Sequence, residues 1–280
     1  MNEIMEELSS PRLIPALEAN MIKYWTTYGS APQRELYEGP DFIQFTTGIP
    51  STLFNGVFRA QLSPDGVDAA ITEVIASVAS KNTPLSWYVS PTTRPADLAL
   101  YLQKHGFVPG GALPVMAIEL VKLSKLRMRS NFKIRQVEDI DMLREWAQVV
   151  ATGFEIPEKI YDDFVDLELS LGIFPQSAAR RYLGYQNEIP VATSELVFHA
   201  GVAGIYTVTT LPEARRQGIG ANMTAIPLHE ARVNGYKIGT LQASSMGYPV
   251  YRQLGFQDVC KFDIYLWRGS QGVIDDENIN

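Results

Sequence analysis

The sequence predicts an α/β protein built from two similar units, and three observations carry that reading. Segments with the period-two alternation of strands, such as residues 204–210, interleave with segments of helix-forming composition. The order strand, helix ending in Gly-Phe, strand occurs twice, with Gly106-Phe107 and Gly255-Phe256 at positions 106 and 255, an offset of 149 residues, about one domain length. Residues 207–221 (TVTTLPEARRQGIGA) join an apolar strand to a glycine-punctuated turn at the start of a helix, an arrangement suited to holding a phosphate.

In the first unit, residues 13–28 read as helix, 41–48 and 53–62 as strands, 66–79 as helix, and 85–90 (LSWYVS) as strand. A helix over 95–105 stops at Gly106-Phe107, and 113–120 (LPVMAIEL) returns as a strand. The unit runs to residue 123, and a basic polar stretch, 124–131 (SKLRMRSN), follows as linker. The second unit covers 132–268, and 269–280 is a polar, acidic, flexible tail.

Within the second unit the strand at 204–210 ends at Leu211-Pro212, because proline lacks a donor and restricts the residue before it. Arg215, Arg216 and Gln217 lead into Gly218-Ile219-Gly220, and a helix runs from Ala221 to about residue 233, with a kink or early end expected at Pro227. Without Cβ atoms at Gly218 and Gly220, an anion can approach the backbone and the turn can take left-handed dihedrals. The free N–H groups and positive dipole end of the helix would face that anion, with arginine adding donors. There is no lysine-serine or lysine-threonine pair for a P-loop and no third glycine for a dinucleotide fingerprint. A helix-start turn with surface arginines is the plain alternative. A strand at 238–243 (IGTLQA), a helix ending at Gly255-Phe256 and a closing strand at 258–267 complete the unit.

Arg215-Arg216-Gln217-Gly218-Ile219-Gly220 resembles the Arg/Gln-x-x-Gly-x-Gly/Ala pyrophosphate loop of the GNAT acetyltransferase superfamily, and Tyr251-Arg252-Gln253-Leu254-Gly255-Phe256 resembles that family's Tyr-x-x-x-Gly-Phe helix end. The resemblance covers residues 133–267 and implies a central mixed β-sheet flanked by helices. It also implies transfer of the acetyl group of acetyl-CoA, as cosubstrate, by direct attack of an amine. By family position Val208 and Thr210 present backbone groups to the pantetheine arm and acetyl carbonyl. Arg215, Arg216, Gln217, Gly218, Gly220 and Ala221 surround the pyrophosphate, and Ser244 stands where many members have an asparagine that caps the next helix and meets the cofactor, with Ser245 beside it. Tyr251 matches the general acid toward the thiolate; a phenol, with a reference pKa of about 10, keeps its proton at neutral pH. Tyr248 is the fallback, and a half-buried aromatic is the plain reading of either.

Members with a carboxylate base often carry it early on the strand that here reads GVAGIYTVTT, which contains no acid. Glu195 and His199 on the preceding strand are four apart and share a face, and Glu195 is the candidate base. Water or an amine arriving neutral would serve instead. Asp162, Asp163, Asp166 and Glu168 form an acidic helix in the region that usually lines the acceptor site, or simply a solvated face. The first unit has Gln61-Leu62-Ser63-Pro64-Asp65-Gly66 in place of the pyrophosphate loop and Leu102 in place of Tyr251. Asp65 would repel a phosphate, so this degenerate unit is expected to keep the fold and to have lost acetyl-CoA binding.

Composition narrows the function classes. At 280 residues with a formal charge of −7, the chain can bury a sizeable core and is not built to bind nucleic acid nonspecifically. No stretch approaches the ~18 continuous apolar residues of a membrane span, and residues 1–8 lack the features of a secretion signal. The single cysteine, Cys260, reads as a buried thiol in a reducing, cytoplasmic compartment. His105, His199 and His229 lack ligand-spaced partners, so no metal is expected. The partner is a small-molecule or peptide amine, whose identity, like the oligomeric state, no local motif encodes. A superfamily transferase of aminoacyl or longer acyl groups and a noncatalytic CoA-binding sensor are the alternatives.

Overall fold

The computed structural model describes residues 3–124, 128–174 and 178–269. In chain order its elements are α1 (Leu13–Gly29), β1 (Glu35–Glu38), β2 (Ile43–Thr46), β3 (Asn55–Phe58), α2 (Val67–Ala79), β4 (Leu85–Val89), α3 (Leu98–Lys104) and β5 (Val108–Glu119). After the linker come β6 (Phe132–Gln136), α4 (Ile140–Gly153), α5 (Glu158–Leu171), β7 (Ala179–Gln186), β8 (Ile189–His199), β9 (Val202–Thr210), α6 (Ile219–Val233), β10 (Ile238–Gln242), α7 (Tyr248–Leu254) and β11 (Gln257–Trp267).

The chain forms two compact units, a smaller one of Ile22–Pro114 with Cys260–Asn280 and a larger one of Met1–Met21 with Val115–Val259. In the smaller unit the strand order is β1-β2-β3-β4-β11, with β3 and β4 parallel and the other pairs antiparallel. Its crossover helix α2 buries Val67, Ile71, Val74 and Val78, a stripe at helical spacing, against Val57, Trp87, Leu102 and Phe107. Leu102, in the place of Tyr251, is thus a core residue with no exposed surface. In the larger unit the order is β5-β10-β9-β8-β7-β6, again with one parallel pair, β9 and β10, and α6 as its crossover. The Asp139 carboxylate accepts the Met142 N–H at 2.8 Å to start α4.

The expected contiguous division, 1–123 and 132–268, is not how the units are composed. The strand that follows α3 serves the larger unit: Val115–Glu119 of β5 pair antiparallel with β10. Conversely, Asp263–Trp267 of β11 pair antiparallel with β4 in the smaller unit. Equivalent strands of a repeat offer similar apolar patterns to equivalent partners, so each copy can occupy the other's place. The first part of α1 also belongs to the larger unit, where the Asn20 side-chain amide donates to the carbonyls of Val197, His199 and Val202 and its oxygen accepts from Tyr206. Residues 125–127 of the linker and 270–280 of the tail lie outside the described residues.

Candidate active site

The parallel pair at the centre of the larger unit is short. Register runs only through Gly239↔Ala203 and Thr240↔Gly204, after which β9 continues six residues to Thr210 without β10 beside it. The two strands part toward their carboxyl ends, the side of an α/β sheet where ligands bind, and the β9 edge beyond Gly204 has no ladder partner there. A bulge sits at the mouth. Thr193 pairs with Thr209 and Glu195 with Tyr206, so Thr207 and Val208 together oppose Ser194. Thr207 has φ of +46°, an outlier for a β-branched residue. Among the described residues the smaller unit shows no such opening. Beyond β3 and β4 its chains re-pair through Arg94 N–H to Ala60 O at 2.9 Å and Leu62 N–H to Arg94 O at 3.0 Å, and the Gln61 amide bonds Thr92 O.

The turn after β9 delivers the start of α6 to this mouth. Gly218, the residue before the helix, is left-handed at φ 77° and offers no side-chain cap, so the first N–H groups of α6 lack intrahelical partners. A Cβ on Gly220 would meet only Thr210 Oγ1, at 3.7 Å. Packing within the protein therefore does not require a glycine there, and the space above it stays open. Arg215 Nε–H donates to Thr210 O at 2.9 Å, tying the loop to the end of β9, and Arg216 is exposed with φ 61°. The Gln217 side-chain oxygen accepts from Gln186 at 2.8 Å and from Arg129 at 3.4 Å. Ala221, like Val208, is partly buried against the core of the larger unit. Helix α6 runs on through Pro227 to Val233 rather than ending at the proline.

Ahead of α7, Ser244 Oγ accepts the Gly247 N–H at 3.1 Å, while the residue before the helix is Gly247, with no side-chain cap, and Ser245 is exposed. Gly247 lets the Tyr251 ring lie back over the helix start, since a Cβ there would fall 2.7 Å from Tyr251 Cε2. Tyr251 is 7% exposed, its hydroxyl has no protein partner among the described residues, and burial pushes its phenol up to about 12. Tyr248, the fallback, donates to Asp258 Oδ2 at 2.7 Å, and that bond to a carboxylate holds its proton more tightly. Its hydroxyl is thereby committed to the protein.

Glu195, the candidate base, is buried within the larger unit. It is 3% exposed, and its carboxylate accepts the Arg181 Nε–H at 3.2 Å. Arg181 also donates to Glu168 Oε2 at 2.7 Å and Gly172 O at 3.1 Å, with Trp146 and Phe174 rings at 4.8 and 4.2 Å from its guanidinium carbon. Of the acidic helix, now α5, Asp162, Asp163 and Asp166 are exposed, but Glu168 is wholly buried in this cluster. Four residues after the core residue Phe164, it lies on the apolar face, a spacing readable from sequence. His199 is half-buried at the end of β8, and Cys260 is half-buried rather than buried. Among the described residues no His, Cys, Asp or Glu group is arranged to hold a metal, and no helix is long and apolar enough to cross a membrane.

Burial pushes the Glu195 carboxyl up to about 7, with Arg181 opposing and Glu168 reinforcing the shift. The folded chain therefore holds this proton more tightly than the unfolded chain, whose carboxyl titrates near 4.5. The stability it contributes is full below that value and is lost as the pH rises toward 7. Glu195→Gln keeps an oxygen for Arg181 and is expected to remove the loss. Between about pH 5 and about pH 8 the variant's thermal midpoint should gain a few degrees on the natural chain, whereas parallel curves would show that Glu195 does not titrate.

Residues 191–259 match the family model of the acetyltransferase (GNAT) domain. No curated protein matches the chain in sequence. Among solved structures, a GCN5-related N-acetyltransferase from Kribbella flavida is 19% identical with a TM-score of 0.67, the match covering 88% of this chain and 94% of that one. A GCN5-related N-acetyltransferase from Sphaerobacter thermophilus is 15% identical, with coverage of 81% and 76% and a TM-score of 0.58. A tandem GNAT protein from the clavulanic acid biosynthesis pathway is 10% identical, with coverage of 96% and 98% and a TM-score of 0.59. The chain thus has the fold of a tandem GNAT protein, and the match to the GNAT acetyltransferase domain lies within its larger unit.

Proposed function

We propose that the larger unit is an acetyl-CoA-dependent N-acetyltransferase acting on a small-molecule or peptide amine. The observation that supports it most is the parting of β9 from β10 beside an uncapped helix start with a left-handed Gly218 and open space over Gly220. A sheet edge with free backbone groups suits an amide-bearing arm, and the α6 N–H groups with Arg215 and Arg216 suit a diphosphate. Bound acetyl-CoA supplies an activated acyl carbon and a thiolate leaving group. The Val208 N–H, in the bulge, donates to the carbonyl oxygen on which charge develops as the amine nitrogen bonds to the acyl carbon. Tyr251 O–H donates to sulfur as the carbon–sulfur bond breaks; with its pKa raised to about 12 it keeps its proton beforehand. The proton lost from the amine passes to water, because Glu195 lies buried against Arg181. The smaller unit, its equivalent opening sealed, has a structural role.

Calorimetry with acetyl-CoA and release of CoA thiol with a panel of amines test this reading. Binding with thiol release is expected; binding without release for any amine would make the chain a sensor, and absence of binding would remove the cofactor. Tyr251→Phe is expected to slow turnover about 100-fold with acetyl-CoA affinity within about twofold. An unchanged rate would take Tyr251 out of the mechanism.

A further inference from the structure

The strained bulge of β9 is held by side chains that belong to other elements. Thr193 on β8, with no exposed surface, pairs through its backbone with Thr209 but reaches back with its hydroxyl to donate to Thr207 O at 2.8 Å. In a regular antiparallel ladder, β8 backbone would satisfy alternate carbonyls of β9; at a bulge one residue is left over, and its polar groups need another partner. Across the pair, the buried indole Nε1–H of Trp146 on α4 donates to the carbonyl of Ser194, the residue opposite the bulge, at 3.4 Å. Gly153, at the end of α4, admits Thr209 closely, since a Cβ there would lie 2.2 Å from Thr209 Oγ1.

We infer that Thr193 and Trp146 are positioning residues of the acyl-transfer site, fixing the Thr207 and Ser194 carbonyls so that the Val208 N–H keeps its direction. The assignment rests on the acyl-transfer reading above. The direction of one peptide matters because a donor must meet the oxygen only as charge develops, and a misplacement of an ångström costs catalysis far more than binding. Thr193 reaches the Thr207 carbonyl through its hydroxyl alone, so valine keeps the shape of the side chain and loses the clamp, while serine keeps the clamp.

Thr193→Val is expected to lower kcat about 10- to 100-fold and to leave KM for acetyl-CoA within about threefold. Thr193→Ser should restore kcat to within about threefold of the natural chain. Trp146→Phe, which keeps an aromatic ring beside Arg181 but removes the N–H together with part of the indole's volume, should lower kcat in the same way and serves if the valine variant fails to fold. Unchanged kcat in the folded variants, or no rescue by serine, would overturn the assignment. If the natural chain releases no thiol with any amine, the acyl-transfer reading has failed instead. Amide hydrogen exchange then decides: faster exchange at Thr207 and Val208 in Thr193→Val than in Thr193→Ser supports the clamp, and equal rates overturn it.

Discussion

Arg181→Met is expected to lower the stability of the protein by about 3 to 5 kcal/mol, one of the largest effects of any single side-chain change in the larger unit. The guanidinium is 4% exposed and bonds two carboxylates, Glu168 with no exposed surface and Glu195 with almost none. Methionine fills much of the volume between Trp146 and Phe174 and keeps a sulfur–aromatic contact, but it strips both carboxylates of that cation inside an apolar layer. Each must then take up a proton or remain charged without it, and either costs folding free energy. The loss belongs to the broken network rather than to the missing side chain, so adding Glu168→Leu and Glu195→Leu should recover most of it, since well-packed apolar replacements of buried ion clusters are often neutral or stabilising. Denaturant midpoints of the single and triple variants measure both effects. A single variant within about 1 kcal/mol of the natural chain would mean that water reaches the cluster and solvates both carboxylates.

What the sequence discloses and what it hides separate along a physical line. The turn after β9 and the end of α7 were legible because their conformations are local: Gly218 and Gly255 sit at φ 77° and 101°, where glycine is the residue that fits. Helices α2, α6 and α7 and strands β9, β10 and β11 carry their periods within themselves. The edge strand β1, Glu35–Glu38, was missed because two of its four residues are glutamates and it is mostly exposed, so it offers no apolar alternation. The pairing of Arg181 with Glu168 and Glu195 joins three elements over 13 and 14 residues of sequence, and nothing at either end encodes the partner. Register is equally silent. Residues 204–210 read as an unbroken strand, yet a bulge sits at Thr207, whose carbonyl accepts from the Thr193 hydroxyl of β8. The exchange of β5 and β11 is hidden most deeply, since the similarity that reveals the repeat makes the two pairings indistinguishable by pattern.

That exchange predicts that residues 124–280 do not fold alone. Without the first 123 residues, β10 loses the strand that pairs along its whole length, from Ile238↔Glu119 to Gln242↔Val115. With it go Val115, Met116, Ile118 and Leu120, each at most 1% exposed. At 1.5 to 3 kcal/mol for each fully buried side chain, these four contribute roughly 6 to 12 kcal/mol, comparable with the 5 to 15 kcal/mol that stabilises a typical domain. Also lost are the Met5 N–H bond to Gly201 O and all four bonds of buried Asn20, one of them to Tyr206 just before the bulge. The fragment is expected to show no cooperative unfolding transition and no near-ultraviolet circular dichroism of a packed core. Coexpressed with residues 1–123 it should recover both and copurify with that partner, because every missing strand is then supplied by the other fragment. Cooperative unfolding of residues 124–280 alone would show that β11 can turn back onto β10 and that the exchanged pairing is one of two accessible to the chain.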